Sequence, residues 1–160
     1  MTYLKNAYAA QRELPQTFEF RLISTGEIAD AAEPARNTLT VLLYRVTQET
    51  ERPSPAPPGH GIVAPPPLAL ALHYLLTAWA DDALMEQTVL TWAMREIQMH
   101  PVLDRSDLSA DAGWISADAV QLIPAALSLD ELSRIWDLLH PKYRLSAAYT
   151  ARVVRIDEGR

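Results

Sequence analysis

Four residues in the middle of the chain have side chains that could together bind a metal ion: His73, Asp81, Asp82 and His100. Imidazole nitrogens and carboxylate oxygens are common ligands of zinc and related metals, and such a site would suit a small hydrolase. However, His73 stands among apolar neighbours, the two aspartates can cap a following helix, and His100 precedes a proline. The sequence therefore favours structural roles for all four residues and predicts neither a metal nor any other cofactor.

Other catalytic patterns are also missing from the sequence. There is no glycine-rich phosphate loop, no Gly-x-Ser-x-Gly turn and no His-Glu-x-x-His motif, and the chain has only five glycines. Ser146 has no general base at a fixed spacing, so we do not expect it to be a nucleophile. Trp92 and Trp136 lie on predicted helices, where an aromatic ring usually packs on the core or on a neighbouring subunit. We therefore expect a protein that is not an enzyme.

The stretch from Leu68 to Leu103 must position most of these side chains. Apolar residues occupy the even positions from 68 to 78, which is the period of a strand, although a continuous buried helix is the alternative. Asp81 or Asp82 can cap a helix over Ala83 to Met99. The apolar stripe of that helix predicts that one side packs on the core, through Val89, Leu90, Ala93, Met94 and Ile97.

The remaining segments predict short helices and strands. A helix is expected over 2–13 and another over 129–139, where Ser128 and Glu131 form a capping box. Strands are expected at 17–23, 38–46, 119–123 and 143–156, and loops at 24–37 and 104–117. In the first of these strands the apolar face should hold Phe18, Phe20 and Leu22. In the last, the apolar alternation shifts at Val153, which indicates a bulge or a change of neighbour.

This order of elements predicts one α+β domain over residues 1–160, with a largely antiparallel sheet and helices mainly on one face. A chain of 160 residues, 49% of them hydrophobic, can bury one sizeable core. Its net charge of −6 argues against binding to nucleic acid. No apolar run is long enough to cross a membrane, and the start lacks a signal-peptide core, so we expect folding in the cytosol and protein partners.

Three features predict where such partners bind. Residues 50–67 contain seven of the twelve prolines and should form a long surface loop within the domain, in which Pro57 and Pro58 either dock a neighbour or belong to a plain flexible connection. Trp114 stands in a polar, turn-rich loop. The last strand has a polar face, which should meet water or another subunit through Arg144, Ser146, Thr150 and Arg152.

Several short segments, taken together and in order, resemble a known family. They are Leu72 to Ala78, Asp81-Asp82, Ala93 to Arg95, His100 to Leu103, Leu132 to Trp136, Tyr143 to Ser146, and Tyr149. The set is similar to the tail-terminator, or cap, protein of extracellular contractile injection systems of the Photorhabdus virulence cassette and antifeeding prophage type. The resemblance covers about residues 38 to 157 and is weaker before them. The chain resembles the cap domain without a C-terminal extension.

The resemblance implies a tail-terminator-like fold and a structural function. Such caps form a homohexameric ring on the distal end of the inner tube, stop the growth of tube and sheath, and hold the last sheath ring. The implied partners are other copies of the chain, the inner tube protein and the sheath protein. Assembly would take place in the cytoplasm, as part of a phage tail-like particle that is released or stays inside. We expect a sheet edge or the 50–67 loop to receive an extended segment of the sheath. The alternative is a soluble adaptor or ligand-binding module that forms no ring.

Overall fold

The computed structural model describes residues 1–11, 17–30, 36–49, 69–108, 118–139 and 142–155. Within them lie four helices and six strands. In chain order they are α1 (Thr2–Gln11), β1 (Glu19–Ile23), α2 (Thr25–Asp30), β2 (Thr38–Gln48), β3 (Leu70–Trp79), α3 (Ala83–Met99), β4 (Val102–Leu103), β5 (Asp118–Ala125), α4 (Leu129–Leu139) and β6 (Ser146–Arg155).

The strands form a single sheet in the order β1-β2-β3-β6-β5-β4. Only β1 and β2 are parallel, and every other neighbouring pair is antiparallel. The segment from Leu68 to Trp79, whose sequence allows either a strand or a helix, contains β3. This strand lies between β2 and β6 in the middle of the sheet. The structure therefore confirms the predicted α+β fold with its largely antiparallel sheet.

Helices cover both faces of this sheet, because β3 is apolar on both sides near its C-terminal end. On the first face, Leu76 and Ala78 pack in a core with α1 and α3. On the second face, Leu75 and Trp79 pack in a separate core with α2 and α4. The prediction of helices mainly on one face thus needs a refinement: the longer α3 lies on the first face, and a second helical layer covers part of the other.

The short helix α2 occupies a segment for which the sequence analysis predicted a loop. It starts with a capping box, since the N–H of Ser24 donates to Glu27 Oε2 at 2.7 Å and the N–H of Glu27 donates to Ser24 Oγ at 3.2 Å. Ile28 of this helix is buried in the second-face core. The same Ser-x-x-Glu pattern correctly predicted the start of α4. The sequence Ser24 to Glu27, which includes Gly26, therefore already contained the signal for the start of α2.

The apolar alternation predicted for β1 is wrong at its end. Phe18 and Phe20 are buried in the first-face core as expected, but Leu22 is 62% exposed and Ile23 is buried instead. Ile23 packs in the second-face core, under α2. Leu22 lies on the same face as Phe20, but at the end of β1, the edge strand of the described sheet, where its side chain stays largely exposed.

Strand β6 changes its neighbours along its length, as one of the two sequence interpretations anticipated. Its pairing with β3 ends at Arg152, whereas its pairing with β5 runs on without a shift to Arg155. An irregularity does occur elsewhere in the sheet, in β2 between Leu43 and Arg45. The added residue, Tyr44, packs beside the second-face core.

Candidate interaction surface

His73, the first residue of the candidate metal site, lies on the second face of β3 between two hydroxyl groups. Its Nε2 is 2.9 Å from Thr47 Oγ1, and its Nδ1 is 3.3 Å from Thr150 Oγ1. Burial lowers the pKa of His73, Arg45 lowers it further, and Glu49 acts in the opposite direction. A neutral imidazole can donate from one nitrogen and accept at the other, which suits these two hydroxyls.

The other three residues of that candidate site are engaged elsewhere. Asp82 is the N-cap of α3 and accepts from the N–H of Met85 at 2.8 Å, which confirms the predicted cap. Asp81 forms an ion pair with Arg36 at 2.8 Å. His100 ends α3, and its Nδ1 lies 2.5 Å from the hydroxyl of Tyr3. Over the described ranges, no group of three or more His, Cys, Asp or Glu side chains is arranged to hold a metal.

Thr150 and Arg152, two of the predicted interface residues, share a half-exposed polar surface with His73. We call this surface the β6 patch and define it by Thr47, Glu49, His73, Thr150 and Arg152. An ion pair joins Arg152 Nη1 to Glu49 Oε1 at 3.4 Å, with 39% and 28% of the two side chains exposed. The patch is therefore polar, internally hydrogen-bonded and partly open to a partner.

The other two predicted residues, on this strand or just before it, also make contacts within the chain. The guanidinium of Arg144 lies 5.1 Å from the centroid of the Trp79 ring, and its Nη1 is 3.2 Å from Glu86 Oε1. The hydroxyl of Ser146 lies 2.9 Å from Thr77 Oγ1 and donates to the carbonyl oxygen of Arg144 at 2.9 Å. These contacts join β3, β6 and the first turn of α3. They give Arg144 and Ser146 structural roles.

Trp114, Pro57 and Pro58 lie outside the described residues, as do all of the proline-rich residues 50–67, so their contacts stay predictions. The described residues on either side of that segment are neighbours, because the N–H of Glu49 donates to the carbonyl oxygen of Ala69 at 2.9 Å. Both tryptophans predicted to pack on the core do so: Trp92 and Trp136 are 6% and 1% exposed.

The two edges of the sheet differ in what they offer a partner. The N–H of Glu19 donates to the carbonyl oxygen of Asn37, so the backbone groups of Phe20 and Leu22 point away from β2. The N–H of Phe18, two residues before Phe20, also points away from β2, and it donates to the hydroxyl of Tyr8 at 3.1 Å. The opposite edge, β4, has only two residues. A short edge strand resists pairing, so β1 is the better template for an added strand.

The sequence predicted that a sheet edge or the 50–67 loop receives a sheath segment, but it did not identify the edge strand, because the alternation of side chains does not reveal which strand lies outermost. The exposure of Leu22 at the end of this alternating strand is visible only in the folded structure. In the part of the chain that the structure describes, no helix is long and apolar enough to span a membrane.

Comparison with known proteins gives one family and two similar structures. The family model described as the Pvc16 N-terminal domain matches residues 1–160. A chain from the cryo-EM structure of the sheath/tube terminator of PVC, an extracellular contractile injection system, in its extended state is similar at 18% identity, with a TM-score of 0.56 over 99% of this chain and 57% of that one. The cap of the anti-feeding prophage, described as a tube terminating cap, is similar at 18% identity, with a TM-score of 0.55 over 99% and 54% of the two chains.

At this level of identity the two structures establish the fold, and both confirm the tail-terminator-like architecture. The present chain spans little more than half the length of either one, 57% and 54%. Among curated proteins, no sequence matches this chain significantly.

Proposed function

Because the chain belongs to the Pvc16 N-terminal domain family, which matches all of residues 1–160, we propose that it is a structural cap of a contractile injection system. In this proposal, the chain forms a homohexameric ring on the distal end of the inner tube and sheath, and it ends their growth there. The family match over residues 1–160 carries the proposal. The two similar structures, both of tube terminators, support it.

The cap has no catalytic step in this account. The side chains best suited to chemistry are already engaged in holding the fold together: Asp82 caps α3, Asp81 pairs with Arg36, and His73 joins two strands through hydroxyl groups. A structural role requires only surfaces that bind other proteins. We further propose that the subunits assemble in the cytoplasm as part of a phage tail-like particle.

Strand addition at β1 is the proposed contact with the sheath. The outward N–H and C=O groups of Phe20 and Leu22 can pair with an extended segment of the sheath protein, and the exposed Leu22 side chain can pack on an apolar residue of that segment. The β6 patch is a separate candidate contact. Its residues Thr150 and Arg152 are the proposed polar contacts to a partner within the particle.

Electron microscopy of particles from cells that lack this gene tests the proposal. The length distribution of the particles and the appearance of their distal ends would be scored. We expect over-long, uncapped or missing particles, and we expect the gene to restore normal ones. Particles of normal length with capped ends would contradict the cap function, and an adaptor role would then replace it.

A further inference from the structure

The outer side of α3 carries little charge for an exposed helix surface. We call it the α3 ridge and define it by Leu84, Gln87, Thr88, Thr91 and Met94. Leu84 is 75% exposed and Met94 is 40% exposed, although the sequence analysis predicted that Met94 would be packed on the core. Arg95, beside the ridge in its last turns, is the nearest exposed charge along the helix.

The two threonines of the ridge are less polar than their residue type suggests. Thr88 Oγ1 donates to the carbonyl oxygen of Leu84 at 2.7 Å, and Thr91 Oγ1 donates to that of Gln87 at 2.7 Å. Because the helix backbone uses both hydroxyl protons, the side chains can offer their methyl groups to a partner. The outer surface of α4 is different, since it carries an exposed ion pair between Arg134 and Asp130.

A second uncharged surface lies on the first face of the sheet, toward the end away from Trp79. We call it the sheet floor and define it by Val46, Leu70 and Leu72. Val46 lies directly opposite Leu72 in the pairing of β2 with β3, so the two side chains share a face, and Leu70 follows on the same face two residues along. Val46 is 51% exposed and Leu70 is 38% exposed.

Charge argues that these two surfaces meet between copies of the chain. Each copy has a net charge of −6, so two copies repel unless their contact avoids acidic groups. Protein interfaces have few charged residues at their centre, and methionine is enriched there. As defined by these residues, neither the α3 ridge nor the sheet floor contains a charged side chain. One chain therefore supplies two different surfaces of low charge, and a head-to-tail ring requires two different patches on each subunit.

We infer that the α3 ridge of one subunit packs on the sheet floor of the next subunit, and that this contact closes the ring. The inference rests on the proposed cap function and adds the pair of surfaces that binds the subunits together. The partner is a second copy of this chain. Each copy uses its α3 ridge to bind one neighbour and its sheet floor to bind the other.

Cysteine crosslinking tests the contact directly, because the natural sequence has no cysteine. Cells that lack the gene would be complemented with a chain carrying both Thr91→Cys and Val46→Cys, and purified particles would be treated with a short bismaleimide. We expect a ladder of crosslinked multimers of the chain. Each single variant should give no ladder. A second pair, Leu84→Cys with Leu70→Cys, repeats the test at independent exposed positions.

The matched control places one cysteine on α4, at the exposed Leu138, together with Val46→Cys. This pair should not crosslink, since α4 lies on the other side of the sheet. The inference is overturned if the double-cysteine chains are present in particles yet stay monomeric, or crosslink to the tube or sheath protein instead. That result would contradict this contact between subunits but would not contradict the cap function. Particles that lack even the unaltered chain would contradict the cap function itself.

Discussion

The guanidinium of Arg144 lies over the indole ring of Trp79, 5.1 Å from its centroid, and is held there by an ion pair with Glu86. The sequence predicted that Arg144 meets water or another subunit, and that contact stays a prediction beside the ones observed within the chain. Only 27% of its side chain is exposed, against 18% for Glu86. Arg144 therefore joins the start of β6 to the end of β3 and to α3, and its loss should affect stability directly.

We predict that Arg144→Ala lowers the free energy of unfolding by about 1–2 kcal/mol, because it removes a cation–π contact and a partly buried ion pair. Urea denaturation measures this. The matched control is Arg134→Ala, which removes the ion pair with Asp130 between side chains that are 77% and 74% exposed. That change should cost only about 0.3–0.5 kcal/mol. Equal effects of the two substitutions would contradict the structural role of Arg144.

The capping box of α4 should make stability depend on pH. Hydrogen bonds from the backbone and side chain of Ser128 lower the pKa of Glu131 below its ordinary value of 4.5. The carboxylate therefore contributes stability that is complete above the unfolded pKa and is lost as pH falls through the lowered folded pKa. We predict that Glu131→Gln is less stable than the unaltered chain at neutral pH and that the difference narrows in acid. A difference that stays constant from neutral to acidic pH would argue against the cap.

His73 should contribute a second pH dependence, in a higher range. Its folded pKa lies below the ordinary value of 6.5, mainly because of burial, so the unfolded chain takes up the proton first as pH falls. Stability should decrease as pH drops from above 6.5 through the folded pKa, and it should then level off. Thermal unfolding of the unaltered chain and of His73→Gln over this range isolates the effect. We expect the variant to lack this part of the decrease, and identical profiles would contradict it.

Proline substitutions in β1 distinguish the outer side of the edge from its inner side. The N–H of Leu22 points away from β2, so Leu22→Pro should leave the sheet intact but remove a donor from the edge. We predict that this variant folds and enters particles yet loses the attached sheath at the distal end. Arg21→Pro is the matched control, because the N–H of Arg21 faces β2 and its loss should destabilise the fold. Normal sheath attachment with Leu22→Pro would exclude strand addition at β1.

The sequence predicted the elements with strong local signals and missed those decided by distant neighbours. The even-position pattern of β3, the Asp82 cap and the Ser128–Glu131 box each depend on residues close in the chain, and all three are confirmed. The exposure of Leu22 and Met94 depends on where β1 and α3 lie in the finished fold. Local periodicity has no access to that information.

The predicted interface residues of the last strand show the same difference between what nearby residues determine and what distant neighbours determine. The polar alternation of the last strand predicted that Thr150 and Arg152 meet water or another subunit; both are half-buried, and their contact with a partner stays a prediction. It could not separate them from Arg144, whose partners Trp79 and Glu86 come from β3 and α3, more than fifty residues earlier. All of these residues are half-buried, and long-range contacts decide which groups each of them meets.

The most direct test of the cap function is a cryo-EM reconstruction of the distal end of intact particles. We predict a hexameric ring of this chain that closes the inner tube, with Thr91 of each subunit beside Val46 of the next and the β1 edge directed at the last sheath ring. A distal end built from other proteins, with no density that fits this fold, would contradict the account.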